Sequence, residues 1–156
     1  MNENLNNKKI NVLIISYLFP NSKYPDYGVF VLNRVKAISN YCNITVLNPI
    51  PWFPFSFMFS RYKGLHDVPR FEKLGTIKVR HPRFFVIPKY LKFLDTFFYA
   101  YSIVNYVKKN FADNYHILDL HWSYPDIYAG KLLKNYYMAK MIVNIRGAPA
   151  LFISYD

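Results

Sequence analysis

His121 and Arg146 are the side chains whose types and positions most clearly indicate chemistry. His121 follows the apolar run Ile117–Leu120, and Arg146 follows the apolar segment Met141–Ile145. An imidazole can donate or accept a hydrogen bond and titrates near neutral pH, and a guanidinium matches the geometry of a phosphate or a carboxylate. Both apolar runs are typical of buried strands, so we expect both side chains to lie at strand ends, where they could bind an anionic ligand.

A helix start follows His121 almost at once. Ser123 precedes Asp126 by three residues with Pro125 between them, and this capping-box-like pattern predicts a helix from Tyr124 to about Tyr137. Asp126 is interpreted as a cap stabilised by the helix dipole and not as a catalytic base. Free N–H groups at such a start attract anions, so the junction predicts a binding crevice beside His121.

The elements that position these residues alternate between strand and helix. The pattern predicts strands at Ile10–Ser16, Asn43–Leu47, Thr76–Val79, His116–His121 and Met141–Ile145, and helices at Val29–Tyr41, Lys89–Phe111 and Tyr124–Tyr137. We expect an α/β fold with a doubly wound, mostly parallel sheet, in which the first and fourth strands are adjacent. The first helix should turn Val31, Val35 and Ile38 inward. The proline-rich segment 49–54 and the polar, basic segment 61–74 are predicted to be irregular.

This topology brings three loops to one edge of the sheet. They are the loop Tyr17–Gly28, the turn at His121 and the turn at Arg146–Gly147. Gly28 has no Cβ, which permits a positive φ or a close backbone approach to a ligand, although an ordinary turn before a helix is the alternative.

Composition restricts the class of protein further. The chain has 156 residues, of which 53% are hydrophobic, so we expect a polar tail over residues 1–9 and a single domain over residues 10–156. The one cysteine, Cys42, excludes an intramolecular disulfide, and no His/Cys spacing is typical of zinc, so no metal is predicted. Ile10–Ser16 is too short for a membrane span or a signal peptide, and a cytoplasmic location is expected.

Charge and aromatic content point to an anionic partner. The net charge is +11 and the aromatic fraction is 20%. Lipid headgroups, phosphate-bearing substrates and nucleic acid all fit that charge, but the basic residues are scattered, which makes nucleic acid the weakest candidate. The predicted helix Lys89–Phe111 is apolar over most of its circumference, so a membrane surface or a partner interface stands beside core packing as an interpretation.

Four segments in order resemble the amino-terminal domain of family 4 glycosyltransferases, which have the GT-B fold of two facing Rossmann-like domains. The resemblance runs from the first strand to the fifth. Its carriers are Ser16–Asn21 with Gly28–Val31 and Arg34, then Pro49–Pro54, then His121-Trp122 with Tyr124–Asp126, and finally Arg146-Gly147.

The resemblance implies a Rossmann-like sheet and a set of substrate-binding residues. That set comprises Phe19, Gly28, Arg34, His121, Trp122, Arg146 and Gly147, with His121 as the candidate catalytic residue. Several of these residues have a structural alternative. His121 and Trp122 could instead pack in the interior, Arg34 could be a solvated helix charge, and Arg146 could form a salt bridge.

The resemblance also implies an activity. Family members transfer a sugar from a nucleotide-sugar donor to a glycan or lipid-linked acceptor, with retention of configuration, and no cofactor beyond the donor itself is expected. The family's donor site and paired-glutamate motif belong to a second domain, so we expect this chain to be a truncated acceptor-side domain. We expect it to be inactive unless the carboxyl-terminal domain is supplied in cis or in trans. The chain departs from the family pattern at Asp119, at Ile127 and at Ala148-Pro149, and the last of these alters a loop that lines the cleft.

The alternative is a noncatalytic truncated or split domain that binds a partner chain or a membrane surface. An anionic membrane is a further candidate partner, which would place the protein peripherally at the inner face of the membrane.

Overall fold

The apolar runs identified in the sequence form the central strands of the main sheet. The computed structural model describes residues 9–87, 92–111, 114–122 and 124–145. The strands are β1 (Ile10–Ile15), β2 (Cys42–Leu47), β3 (Ile50–Trp52), β4 (Phe71–Leu74), β5 (Ile77–Arg80), β6 (Arg83–Phe85), β7 (Ile117–Leu120) and β8 (Lys140–Val143). The helices are α1 (Val29–Ile38), α2 (Lys92–Asn110) and α3 (Asp126–Tyr137).

Strand order confirms the predicted α/β architecture. The main sheet has six strands in the order β4-β5-β2-β1-β7-β8, and every pair is parallel except β4 with β5. β1 and β7 are adjacent, with Ile15 opposite Leu120. The order therefore reverses around β1, as in a doubly wound sheet.

The core lies on both faces of this sheet. Side chains of β1 alternate, so Val12 and Ile14 pack towards α1 while Leu13 and Ile15 pack towards α2 and α3. In α1, Val31 and Val35 are buried and Ile38 packs against them, as its periodicity predicts. Burial on both faces explains the near-continuous apolar runs in the central strands.

Two segments predicted to be irregular contain short strands. Phe71–Leu74 pairs antiparallel with β5 through a turn at Gly75, whose φ is +66°. Ile50–Trp52 pairs with Arg83–Phe85 in a separate two-stranded sheet that tolerates Pro51 because it has only edge strands. Both strands are short and depend on pairing with a distant or neighbouring segment, so no local pattern indicates them.

Candidate functional site

The candidate site lies at the carboxyl ends of β1, β7 and β8. The backbone N–H of His121 donates to the carbonyl of Ile15 (3.2 Å), and that of Asn144 donates to the carbonyl of Leu120 (2.8 Å). These bonds hold the carboxyl ends of the three strands together. The strand order reverses at the same edge, which is where open parallel sheets form ligand crevices.

The first loop is held tightly against the sheet. The Asn48 side chain donates to the carbonyls of Ser16 (3.0 Å) and Tyr17 (2.9 Å). Gly28 begins α1 with a φ of +72°, and a Cβ there would meet the carbonyl of Leu18, whose carbon lies 2.6 Å away. The predicted positive φ at Gly28 is present, and the close approach is to the loop's own backbone, while a role in ligand binding stays a prediction.

A buried histidine, missed from the sequence, supports that loop. His81 is fully buried, with Nε2 2.9 Å from Glu72 Oε2 and Nδ1 3.1 Å from the Asn48 carbonyl oxygen. Burial lowers the pKa of His81, although the charge of Glu72 opposes the shift. The network joins the edge strand β4 to Asn48, and no sequence spacing indicates these partners.

Arg34 and Asp119 form a charged pair beneath the crevice. Arg34 Nε donates to Asp119 Oδ2 (3.2 Å), and Asn144 Nδ2 donates to Asp119 Oδ1 (2.6 Å). Burial alone would raise the pKa of Asp119, but His121 and Arg34 outweigh it and lower that pKa below its usual value. The interpretation of Arg34 as a solvated helix charge is therefore wrong, since the carboxylate of Asp119 is only 2% exposed.

His121 is the least satisfied side chain in the site. Its side chain is fully buried, and its Nε2 lies 3.5 Å from Asp119 Oδ2, too far for a good hydrogen bond. Within the described ranges, neither ring nitrogen has a hydrogen-bond partner. A buried polar group without a good partner costs about 1–3 kcal/mol, and the approach to Asp119 offsets part of that cost, so His121 is a candidate for a further contact with a ligand.

Asp126 is not the helix cap that the sequence predicts. Pro125 occupies the cap position with no side-chain bond, and Ser123 lies outside the described residues. Asp126 is fully buried and accepts hydrogen bonds from the Tyr99 hydroxyl and the Tyr17 backbone N–H. Burial raises the pKa of Asp126 to about 7, against the opposing effect of these bonds. The reason is tertiary, because α2 and the first loop close over the start of α3.

Two cavities open beside this carboxyl edge. One of about 300 Å³ is lined by residues that include Trp122, Tyr17, Tyr62 and Tyr124. The other, of about 150 Å³, is lined by Tyr17, Asn21, Tyr24, Tyr27 and Asn48 among others. Aromatic rings with hydroxyl groups combine an apolar surface with hydrogen-bonding ends. Such walls suit a small polar ligand with apolar faces.

The remaining predicted site residues divide into three groups. Trp122 is partly exposed and lines the larger cavity. Phe19 is fully buried against Val31 and Val35 of α1, so its side chain is a core residue and offers no surface for a substrate contact. Arg146 and Gly147 lie outside the described residues. Tyr17, which lines both cavities, and Tyr62 were not among the predicted site residues.

The described residues include neither a group that could bind a metal ion nor a helix that could span a membrane. In those residues, no group of three or more His, Cys, Asp or Glu side chains could hold a metal ion. No described helix has both the length and the apolar character needed to cross a membrane. No protein-family model matches this sequence, and no curated protein is significantly similar to it.

Proposed function

We propose that this chain is the acceptor-side domain of a retaining glycosyltransferase that uses a nucleotide-sugar donor and a glycan or lipid-linked acceptor. The observation that carries the proposal is the buried, unsatisfied imidazole of His121 beside the Arg34–Asp119 pair at the strand-order reversal. The resemblance described above associates this position with sugar contacts. The aromatic cavities beside Trp122 add support, because they could receive an acceptor.

In this function the residues position groups and stabilise charge. The hydrogen bond between Asn144 and Asp119 joins the ends of β8 and β7 on one side of the site. On the other side, the Asn48 side chain holds the first loop. His121 is buried and lines neither cavity, so its ring would have to become exposed on donor binding before it could complete its hydrogen bonds with a hydroxyl or a phosphate oxygen of the donor. Fixed donors of this kind are worth about 10²–10³ in rate when they act on developing charge.

The donor nucleotide would bind to a second domain, supplied in cis or in trans. We propose that the protein works in the cytoplasm. Arg146 and Gly147 remain predicted contacts near the cleft.

The test is sugar transfer by the protein isolated from its native cell, after its intact mass has been measured. A mass near 18.6 kDa calls for adding a separately expressed donor-binding domain, and a mass roughly twice that calls for assaying the two-domain chain directly. Labelled nucleotide sugars would be offered with a membrane lipid and glycan extract as acceptor. We expect transfer, and we expect His121→Ala to lower kcat/KM by about a hundredfold.

The matched control is His116→Ala, because His116 is exposed and directly precedes β7 at its amino end, at the opposite end of that strand from His121. That variant should transfer at the wild-type rate. Absence of transfer with verified assembly of both domains would contradict the proposed function. Equal loss in both histidine variants would contradict the role of His121 alone.

A noncatalytic domain that binds a partner chain or a membrane remains the second candidate. Its support is a set of exposed aromatic residues on α2 and β6. If this chain alone transferred sugar at a rate that depended on His121, the noncatalytic candidate would be excluded.

A further inference from the structure

A continuous row of aromatic side chains crosses the surface formed by the small sheet and α2. Trp52 and Phe85 are directly opposite each other in the β3–β6 pair. The Phe85 ring contacts Phe98 (5.4 Å between centroids), Phe98 contacts Phe97 (5.9 Å), and Phe97 stacks on Tyr101 (6.1 Å). We call Trp52, Phe85, Phe97 and Tyr101 the aromatic ridge.

The aromatic ridge is exposed and does not contribute to the hydrophobic core. Phe97 is 55% and Tyr101 is 60% exposed, whereas Tyr99, Ile103 and Val107 already bury the opposite face of α2 in the core. Phe93, one turn before Phe97, extends the same stripe and is 70% exposed. A contiguous apolar surface of this kind marks an interaction site.

Three basic residues lie in a groove along the ridge. Arg70, Arg83 and Lys109 line a cavity of about 410 Å³, together with Phe85 and Tyr101 of the ridge. We call these three residues the basic groove. No acidic side chain lines this groove in the described part of the chain.

Arg83 lies on the buried side of this groove, whereas Arg70 and Lys109 are exposed and are the side chains that could reach an anion. One terminal nitrogen of Arg83 donates to the carbonyl of Val68, while Nη1 is buried and has no hydrogen-bond partner among the described residues. Burial and the neighbouring charge of Arg70 both lower the pKa of Arg83, with Glu72 opposing them. Glu72 is itself engaged by His81 and by the Ser22 backbone, so within the described ranges the guanidinium groups of Arg70 and Arg83 have no ion-pair partner of their own.

We propose that the aromatic ridge and the basic groove bind the surface of an anionic lipid bilayer. Lipid phosphates would occupy the groove, and the ridge would enter the boundary between headgroups and acyl chains. Aromatic residues favour that boundary, and basic residues beside it are attracted to anionic leaflets. The net charge of +11 acts in the same direction. This inference rests on the membrane-binding candidate given above and not on the glycosyltransferase proposal, so either can fail without the other.

The test is flotation of the whole chain with lipid vesicles. Phosphatidylglycerol-containing vesicles are compared with pure phosphatidylcholine vesicles, each at about 0.1 M and about 1 M salt. The increase in salt shortens the Debye length from about 10 Å to about 3 Å. We expect binding to the anionic vesicles at low salt, with a large loss at high salt and little binding to neutral vesicles.

Paired variants separate the two parts of the surface. Arg70→Gln with Lys109→Gln should weaken binding by about fivefold for each charge removed. The control, Lys9→Gln with Lys36→Gln, makes the same charge change at exposed positions elsewhere and should retain wild-type binding. Phe97→Ser with Tyr101→Ser should reduce binding at least tenfold. Its control is Tyr41→Ser, which removes an aromatic ring that is 76% exposed on another surface.

Thermal unfolding of each variant checks that it remains folded. We expect all of them to fold, because the substituted side chains are exposed. Absence of wild-type binding to anionic vesicles overturns the proposal and favours a protein partner for the ridge. Equal flotation on neutral vesicles, or equal losses in the test and control charge variants, also overturns it.

Discussion

Replacing Gly28 with alanine tests how the first loop of the site is built. Gly28 has a φ of +72°, and a Cβ at this position would lie 2.6 Å from the Leu18 carbonyl carbon and 3.0 Å from the Phe19 nitrogen. These are backbone atoms, so no change of side-chain rotamer relieves the overlap. The loop or the start of α1 must move.

The expected cost has two parts. A left-handed conformation costs a residue with a Cβ about 1–2 kcal/mol, of which about 0.4–1 kcal/mol is recovered because alanine restricts the unfolded chain. Forcing tightly packed atoms apart adds about 1–3 kcal/mol. We therefore expect Gly28→Ala to lower the free energy of unfolding by about 2–4 kcal/mol, a large share of the 5–15 kcal/mol typical of a domain.

Gly75→Ala provides the matched control. Gly75 also has a positive φ, +66°, but no atom lies within 4 Å of the position of its Cβ. Only the conformational cost applies there, so we expect a loss of about 1 kcal/mol. The difference between the two variants measures the overlap with the Leu18 backbone.

Urea denaturation followed by tryptophan fluorescence measures both variants. Equal m-values would show that the extent of unfolding is unchanged, which makes the two free energies comparable. If the two alanine variants lose the same stability, the packing of Gly28 against the first loop is not as described and the reasoning is wrong.

Two further perturbations test the buried carboxylates. Asp126 has a pKa of about 7 in the folded protein and 3.8 in the unfolded chain, so the free energy of unfolding falls as pH rises between these values, by up to about 4 kcal/mol. In Asp126→Asn, the free energy of unfolding measured with urea should therefore change less with pH over this range. An unchanged slope would contradict the assignment. Asp119→Ala removes the shorter of two hydrogen bonds from the Asn144 side chain, leaving the one to the Leu120 carbonyl (3.3 Å), and it leaves Arg34 without its partner. We expect a loss of about 2 kcal/mol in the free energy of unfolding, measured by urea denaturation, and Arg34 is 35% exposed, which keeps the ion-pair share small. A wild-type midpoint would refute this.

The architecture follows from short-range patterns in the sequence. The apolar runs of β1 and β7, the inward periodicity of α1 and the alternation of strand with helix predict a parallel sheet with β1 beside β7, and the structure has that order. Strands and helices that bury apolar surface are visible locally because their periods of about 2 and 3.6 residues are set by the backbone. The position of His121 at a strand end follows from the same pattern.

The predictions that failed concern partners far apart in the chain. Asp126 has the sequence position of a helix cap, yet Tyr99, 27 residues earlier, binds its carboxylate in the interior. Phe19 lies in a loop of the resemblance, but α1 folds over it and buries it completely. Strand β4 exists because β5 offers a free edge for Phe71–Leu74.

Sequence alone therefore determined the three helices and the five parallel strands of the main sheet, and which polar residues stand at its carboxyl edge, but not the short strands β3, β4 and β6. Tertiary packing determined the electrostatic state of those residues. Whether a carboxylate or an imidazole is solvated, paired or buried without a partner depends on groups that the fold brings from elsewhere in the chain. Arg34 and Asp119, for example, are 85 residues apart in sequence but in contact in the structure. Desolvation is a property of the assembled surroundings, and no local spacing encodes it.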